Sequence, residues 1–359
     1  MELFESLFDV AYLVMVVALG VRLLLEDAEG AKLFGIMAIL LGLGDSFHLL
    51  PRIMSHLNPE GFEAYESALS WGQFVTSITM TIFYLLYYYY YKRISESNSK
   101  GKDILMYGLV IARIVLILLP QNEWGQMPGN FTFGIIRNIP FAILGILLII
   151  WSWQDRNKPG LKYMAELIFF SFLFYIPVVL WANVVPAIGA LMMPKTVAYL
   201  LLVIVGYRYF IKEFKSVNIL NISFVYLVMG LAAGVFCREF TKFNSFYDKT
   251  TLGILHVHSI VVGFISLLLL WSILRNIDTT ELIKKFKRPI LSWTGGLYFT
   301  IVTMIVRGIS QIVGEGYLPF PDTILAGIAG GGHLILGVSI VWIILELIKR
   351  EKRNIKLVK

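Results

Sequence analysis

Phe131-Thr-Phe-Gly-Ile-Ile-Arg-Asn-Ile-Pro-Phe-Ala-Ile-Leu-Gly-Ile-Leu-Leu-Ile-Ile-Trp-Ser152 carries a single charge, Arg137, and is followed by the basic cluster Arg156, Lys158 and Lys162. About 20 apolar residues span the hydrocarbon core of a bilayer, so this stretch reads as a transmembrane helix with a basic flank. Runs of the same kind recur along the whole chain. Hydropathy, proline, glycine and charge breaks place spans near residues 6–24, 33–55, 68–91, 103–120, 131–152, 163–184, 193–211, 219–240, 251–274, 289–313 and 323–348. The chain is 57% hydrophobic and 15% charged, with a mean hydropathy of +0.74, which excludes an ordinary soluble domain. The expected fold is an all-α polytopic integral membrane protein of about eleven helices.

The net charge of +7 is not a nucleic-acid signature, because the basic residues are confined to alternate connections. They follow the third span (Lys92, Arg93, Lys100, Lys102), the fifth, the seventh (Arg208, Lys212, Lys215), the ninth (Lys284, Lys285, Lys287, Arg288) and the last, in a tail from Lys349 to Lys359. The intervening loops, Asn58-Pro-Glu60, Gln121-Asn-Glu123 and Gly314-Glu-Gly316, are poor in Lys and Arg. Cytoplasmic loops carry the excess of Lys and Arg, so the N-terminus is expected outside and the C-terminus in the cytoplasm of a bacterial cell membrane. The acidic Met-Glu-Leu-Phe-Glu start lacks the basic region of a cleaved signal peptide. The lone Cys237 excludes an intrachain disulfide and any multi-cysteine metal site. Tyr87 to Tyr91, running into Lys92, reads as an interfacial aromatic anchor. The basic connection at Lys212–Val217 divides the chain into seven helices, residues 1–215, and four helices, residues 216–359.

Ionisable residues inside apolar spans are costly and mark candidate sites. In the C-terminal part these are His256, His258, Arg307 and His333, with Arg238 and Lys242 at the outer end of the eighth span. All of them fall in the outer half of the membrane by the orientation above. Residues two apart on a helix diverge by roughly 200°, so one of His256 and His258 at most faces His333. His258 lies deeper and is the expected partner. A heme b iron held by His258 and His333, with Arg238 and Arg307 at its propionates, is one reading. Gly327, Gly330, Gly331 and Gly332 would leave room for a flat macrocycle. A structural or proton-relay pair and a bare metal ion at the same histidines are the others. A closed zinc site is disfavoured, since no nearby carboxylate or cysteine completes four ligands.

Gly230-Leu-Ala-Ala-Gly-Val-Phe-Cys-Arg-Glu-Phe-Thr-Lys-Phe243 and Lys249-Thr-Thr-Leu-Gly-Ile-Leu-His-Val-His258 resemble an uncharacterised bacterial four-helix membrane family over about residues 219–350. The resemblance implies no activity. More distantly, His-x-His-x-x-x-x-Gly (residues 256–263) resembles a helix of heme-copper oxidase subunit I, which implies heme ligation at His258. The histidines of a copper centre are missing, so oxygen reduction is not expected.

The N-terminal part has its own polar set. Asp45, His48 and Arg52 are spaced three and four apart and share a helix face. Arg113, Arg137 and Asn138 fall at comparable depth, and Gln73, Thr76 and Ser77 could join them. Three arginines against one Asp leave positive charge to be neutralised, so an outward-facing pocket for an anionic small molecule or lipid headgroup is expected, with structural ion pairs such as Asp45–Arg137 as the alternative. Seven helices resemble rhodopsin-like and hydrolase-like bundles in helix count alone. Lys195 and Lys212 fall at the ends of the seventh span, and no His-x-x-x-His occurs there. The function classes left open are a heme-b redox or gas-responsive protein, a transporter or flippase for an anion, and a seven-helix sensor acting through a membrane partner.

Overall fold

The computed structural model describes residues 2–182, 184–314 and 322–358, so Glu315, Gly316 and Lys359, part of the charge pattern above, lie outside the described residues. Among the described residues the regular structure is entirely helical. The helices are α1 (Glu2–Leu24), α2 (Ala31–Leu57), α3 (Glu66–Ser95), α4 (Lys100–Leu118), α5 (Phe131–Ile136), α6 (Ile139–Gln154), α7 (Met164–Trp181), α8 (Met192–Phe210), α9 (Ser216–Phe243), α10 (Leu252–Val257), α11 (Ser266–Leu274), α12 (Thr279–Glu281), α13 (Lys287–Val313) and α14 (Asp322–Val358). Ten segments among the described residues are long and apolar enough to cross a membrane. The protein has the build of a multi-pass membrane protein.

The expected count of eleven is reduced at α4, which is long enough but carries Lys100, Lys102, Asp103 and Arg113. Its exposed residues Ile104, Ile111, Val115 and Leu118 nevertheless form one apolar stripe, while Arg113 and Ile117 turn inward. The fifth expected span is a broken helix. After α5 the chain makes a turn at Arg137–Asn138 and restarts as α6, with Pro140 in its first turn, where a missing N–H costs nothing.

The chain divides into two compact units. The larger comprises Tyr12–His56 and Glu60–Lys212; the smaller comprises Met1–Ala11, Leu57–Pro59 and Glu213–Lys359. In the larger unit α3, α4, α6, α7 and α8 pack in series around an aromatic core. Tyr87, Tyr88, Tyr90 and Tyr91 belong to that core and are fully buried, with only Tyr89 exposed among the five. They are not a lipid-facing belt. Buried phenols need partners, and each has one: Tyr87 meets Ser152 at 2.7 Å, Tyr88 donates to Asp103 at 2.8 Å, Tyr90 to the Gly160 carbonyl at 2.6 Å and Tyr91 to Asp155 at 2.8 Å. These bonds tie α3 to the start of α4 and to the α6–α7 connection.

In the smaller unit α13 packs along α14, and α9 along the α10–α11 hairpin partner. Between α10 and α11 the helix continues as a π-helical segment, His258–Ile265, beginning at His258. Gly230 and Gly263 let α9 approach this segment closely: a Cβ on Gly230 would stand 2.6 Å from Ile260, and one on Gly263 would stand 2.5 Å from the Tyr226 ring. The basic tail is helical, as part of α14, and Arg353 reaches Glu281 at 3.1 Å beside Lys285 at 2.7 Å.

Candidate ligand cavity

A cavity of about 490 Å³ lies in the larger unit, lined by α2, α3, α4, the Asn122–Asn130 loop, the α5–α6 break, α7 and α8. Ligand sites commonly fall between about 300 and 1,000 Å³. Its construction begins at α2. Pro51 lacks the N–H that would bond the Phe47 carbonyl, and α3 comes against that freed segment at Gly72. A Cβ on Gly72 would sit 2.3 Å from the Phe47 carbonyl oxygen and 2.8 Å from His48 Cα. This contact brings His48 of α2 onto the cavity wall with Gln73, Thr76 and Ser77 of α3.

Arg113 of α4 enters from the opposite wall. It is 2% exposed, and its guanidinium lies 3.2 Å over the Phe141 ring. Among the described residues its Nε and Nη1 have no hydrogen-bond partner. Lys195, in the first turn of α8, is 7% exposed and lines the same cavity, with its ammonium 4.8 Å from the Tyr175 ring centroid and 5.4 Å from that of Tyr199. Arg137 sits at the α5–α6 break, stacked 4.3 Å from the Trp124 ring, and donates from Nη1 to Asn122 Oδ1 at 2.8 Å. Asn138, the other residue of the break, accepts from Tyr175 Oη at 2.9 Å and donates to the Gly134 carbonyl at 2.8 Å. The first turn of α6 therefore begins at the cavity wall, and the positive end of its dipole adds to the field of the three cations.

The negative charge nearby is spoken for. Asp45 is buried and accepts from Tyr12 Oη at 2.7 Å, and it interacts electrostatically with Lys195. Glu66 lines the rim and is exposed. Arg113, Arg137 and Lys195 thus face a shared space with less anionic charge than they bring, in a segment where unpaired charge is costly.

Of the residues picked out by sequence, His48, Arg113, Arg137 and Asn138 line the cavity; Asp45 lies behind the wall, and Arg52, one turn beyond His48, is not part of it. The alternative ion pair Asp45–Arg137 does not form, since each is bonded elsewhere. Two further residues that line the cavity, Lys195 and Asn122, lie outside that set. Lys195 was read as a span end, although its spacing with Tyr199 places both on one face of α8. Asn122 was read as loop. It is 1% exposed, and its Nδ2 reaches the Leu116, Ile117 and Leu119 carbonyls at 2.8, 3.2 and 2.8 Å, closing the end of α4, while its Oδ1 holds Arg137. Trp124 Nε1 adds a bond to the Ile117 carbonyl at 2.9 Å. Asn122→Leu keeps the size and removes the four side-chain bonds of Asn122, leaving that of Trp124. It is expected to cost about 2–4 kcal/mol in thermal unfolding, the size of two or three buried groups left unpaired.

In the smaller unit His258 and His333 meet, with ring centroids 5.9 Å apart and planes at 89°. Each Nδ1 is bonded to the carbonyl one turn back, Ile254 at 3.1 Å and Ala329 at 3.0 Å, leaving both Nε2 atoms available. His256 points elsewhere, with its Cβ beside Gly234 of α9. The glycines near His333 divide into two kinds. A Cβ on Gly327, Gly330 or Gly331 meets open space, whereas one on Gly332 would stand 2.7 Å from Thr300 Oγ1, so Gly332 serves the α13–α14 contact and not a slot. Arg307 lies two turns from Thr300 on α13, and Arg238 is an exposed neighbour of Glu239. Among the described residues no group of three or more His, Cys, Asp or Glu side chains gathers as a metal site.

Residues 217–350, a little over a third of the chain, match the model of a family described as "Protein of unknown function (DUF2871)". The C-terminal segment is therefore similar to an uncharacterised family, and no match supports the more distant likeness to heme-copper oxidase helices. No curated protein and no solved structure matches the chain.

Proposed function

We propose that the larger unit is an intramembrane binding unit for an anionic ligand, serving transport or reception of that ligand. The observation that carries this reading is Arg113: a buried guanidinium with two unpartnered nitrogens, aimed into a 490 Å³ cavity that also holds Lys195 and Arg137. A carboxylate or phosphate placed there accepts a charge-assisted hydrogen bond from Arg113 and the ammonium of Lys195, the two strongest interactions the cavity offers. Arg137, held by Asn122 near the loop, completes the ring of charge from the other side. His48, whose ring is within hydrogen-bonding reach of the Leu69 backbone and whose Nδ1 is unpartnered, can accept a proton from the same head group at that nitrogen.

Charge asymmetry supports an outside N-terminus and cytoplasmic C-terminus, with α4 as the eleventh span of a bacterial cell membrane protein. Its apolar outer stripe and inward Arg113 favour that count. On this orientation the Asn122–Asn130 loop and the cavity mouth face outward.

The test is anion-dependent stabilisation of the purified chain in nonionic detergent. A ligand at about a hundred times its Kd adds about 2.7 kcal/mol to the folded state. Stabilisation by carboxylates or phosphates, and none by matched neutral or cationic compounds, is the expected result. An equal response to all three overturns the reading. Flux of a bound anion into vesicles then separates a carrier from a receptor working through a membrane partner.

The smaller unit supports a second reading, carried by the His258–His333 pair: a bis-histidine heme b site for redox or gas-responsive work. The ring centroids stand 5.9 Å apart, close enough that one metal ion could be reached by a nitrogen of each ring. Nδ1 bonds to backbone carbonyls fix ring orientation, as the hydrogen bonds on the far nitrogen of metal-bound histidines do. Arg307 and Arg238 are the candidates for the propionates. The purified chain is expected to show a Soret band that is lost in both His258→Ala and His333→Ala; a folded preparation that takes up no heme, or variants that keep the band, sink this reading.

A further inference from the structure

Beside the cavity lies a second, smaller space of about 140 Å³, lined by Ile135, Ile139 and Ala142 on one wall and by Phe172, Ile176 and Leu180 of α7 on the other. Asn138, Phe141, Tyr175 and Val179 line both spaces, so the two adjoin along these four side chains. The polar atoms at the junction, Asn138 Oδ1 and Tyr175 Oη, are bonded to each other at 2.9 Å, and the rest of the cleft lining is apolar. Its far rim is formed by Ile139 and Ile176, which are 52% and 40% exposed on the apolar outer surface of the unit. Pro177, inside α7 beside Ile176, removes an N–H and pushes away the Leu173 carbonyl one turn back, so this wall is relieved of regular helix packing where the cleft opens. The other wall begins at the α5–α6 break, where Pro140 stands in the first turn of α6 beside Ile139.

A charged inner chamber thus adjoins an apolar slot whose outer rim lies on an exposed apolar surface. From this geometry we infer that the ligand is an anionic amphiphile with a single hydrocarbon chain: its carboxylate or phosphate head sits at Arg113 and Lys195, and its chain passes between α6 and α7 into the bilayer. The inference rests on the anion-binding reading of the cavity and adds the chain and its path. One narrow slot between two packed helices takes one chain, which separates this ligand from a diacyl lipid. Entry of such a molecule is sideways, from the membrane, and needs no passage of its tail through water.

The experiment uses the full chain in discs of zwitterionic lipid and two photoreactive probes, a hexadecanoate and a lysophosphatidate, each with a diazirine near the chain end. Crosslinks are expected on the segments 135–142 and 172–180, competed by excess unlabelled probe. Ala142→Phe and Ile176→Phe, which fill the slot from its outer side, lose the crosslinks while inorganic phosphate or acetate still stabilises the protein as in the parent. That retained stabilisation also shows the variants folded. Labelling by one probe and not the other identifies the head group, carboxylate or phosphate. Crosslinks scattered over the apolar surface, or unchanged in both variants, overturn the inference and leave the anion cavity standing. Failure of every anion, with or without a chain, to stabilise the parent overturns the reading beneath it.

Discussion

Arg113→Met is expected to abolish the response to anions and, at the same time, to leave the ligand-free protein as stable as the parent or more so. Most substitutions of a fully buried residue destabilise, so the sign is diagnostic. Arg113 is held by the Phe141 ring but has two nitrogens without partners, and Asp45 is already engaged by Tyr12. Methionine keeps an unbranched apolar stem and ends the desolvation cost of the charge. Replacing buried charged groups by packed apolar ones is commonly neutral or stabilising by about 1–4 kcal/mol, against which stands the lost cation–π contact, worth about 2 kcal/mol when desolvated. Losing one partner of a buried charge pair costs about 2–5 kcal/mol of binding, a factor of roughly thirty to several thousand in Kd. Thermal unfolding with and without anion reads both effects. A variant that unfolds several kcal/mol more easily in the absence of anion would make Arg113 a structural residue and remove the main support for the cavity's function.

Gly72→Ala carries the largest expected structural cost. Its Cβ would stand 2.3 Å from a backbone oxygen of α2, which cannot rotate away as a side chain can, so α2 and α3 must separate. Overpacking typically costs about 1–3 kcal/mol, more when backbone must shift. We expect at least ~3 kcal/mol in thermal unfolding, together with weaker anion binding, because His48 and Gln73 flank the contact. Gly108→Ala is the control. That glycine lies on α4 with open space at its Cβ, and alanine there is expected to gain about 0.5–1 kcal/mol from helix propensity. Equal losses at both positions would refute the packing argument.

What could be read from the chain follows from how strongly the bilayer constrains it. Long apolar runs and basic loops are forced by lipid, so most helix positions were legible to within a few residues; the break at Arg137–Asn138 and the helical continuation of α14 through the basic tail to Val358 were not. Arg113, Arg137 and His48 were legible for the same reason, since an ionisable group in an apolar run has few tolerable surroundings. Lys195 escaped because proximity to Pro194 and to a span end made it look like a flank, while the fold seats it on a buried aromatic face. Asn122 escaped because it is neutral and lies between spans; its value is in four oxygen and nitrogen partners that come together only in three dimensions. Arg52 shows the opposite error. Helical spacing correctly aligned it with Asp45 and His48, but the cavity ends before its turn. The tyrosine run was misread because a headgroup belt and a buried aromatic core have the same composition, and the acceptors that identify the core lie up to 70 residues away. The π segment at His258 leaves no periodic trace, since one extra residue per turn over eight residues is lost in ordinary hydropathy.

Asn122 also constrains how the molecule can move. Its nitrogen seals α4 and its oxygen steadies Arg137, so neither can shift without disturbing the other. On the anion-binding reading, a head group that drew Arg137 inward would take a bond from Asn122 and disturb Trp124, which is stacked on the same guanidinium and bonded to Ile117. Occupancy of the cavity and order at the end of α4 are therefore expected to change together.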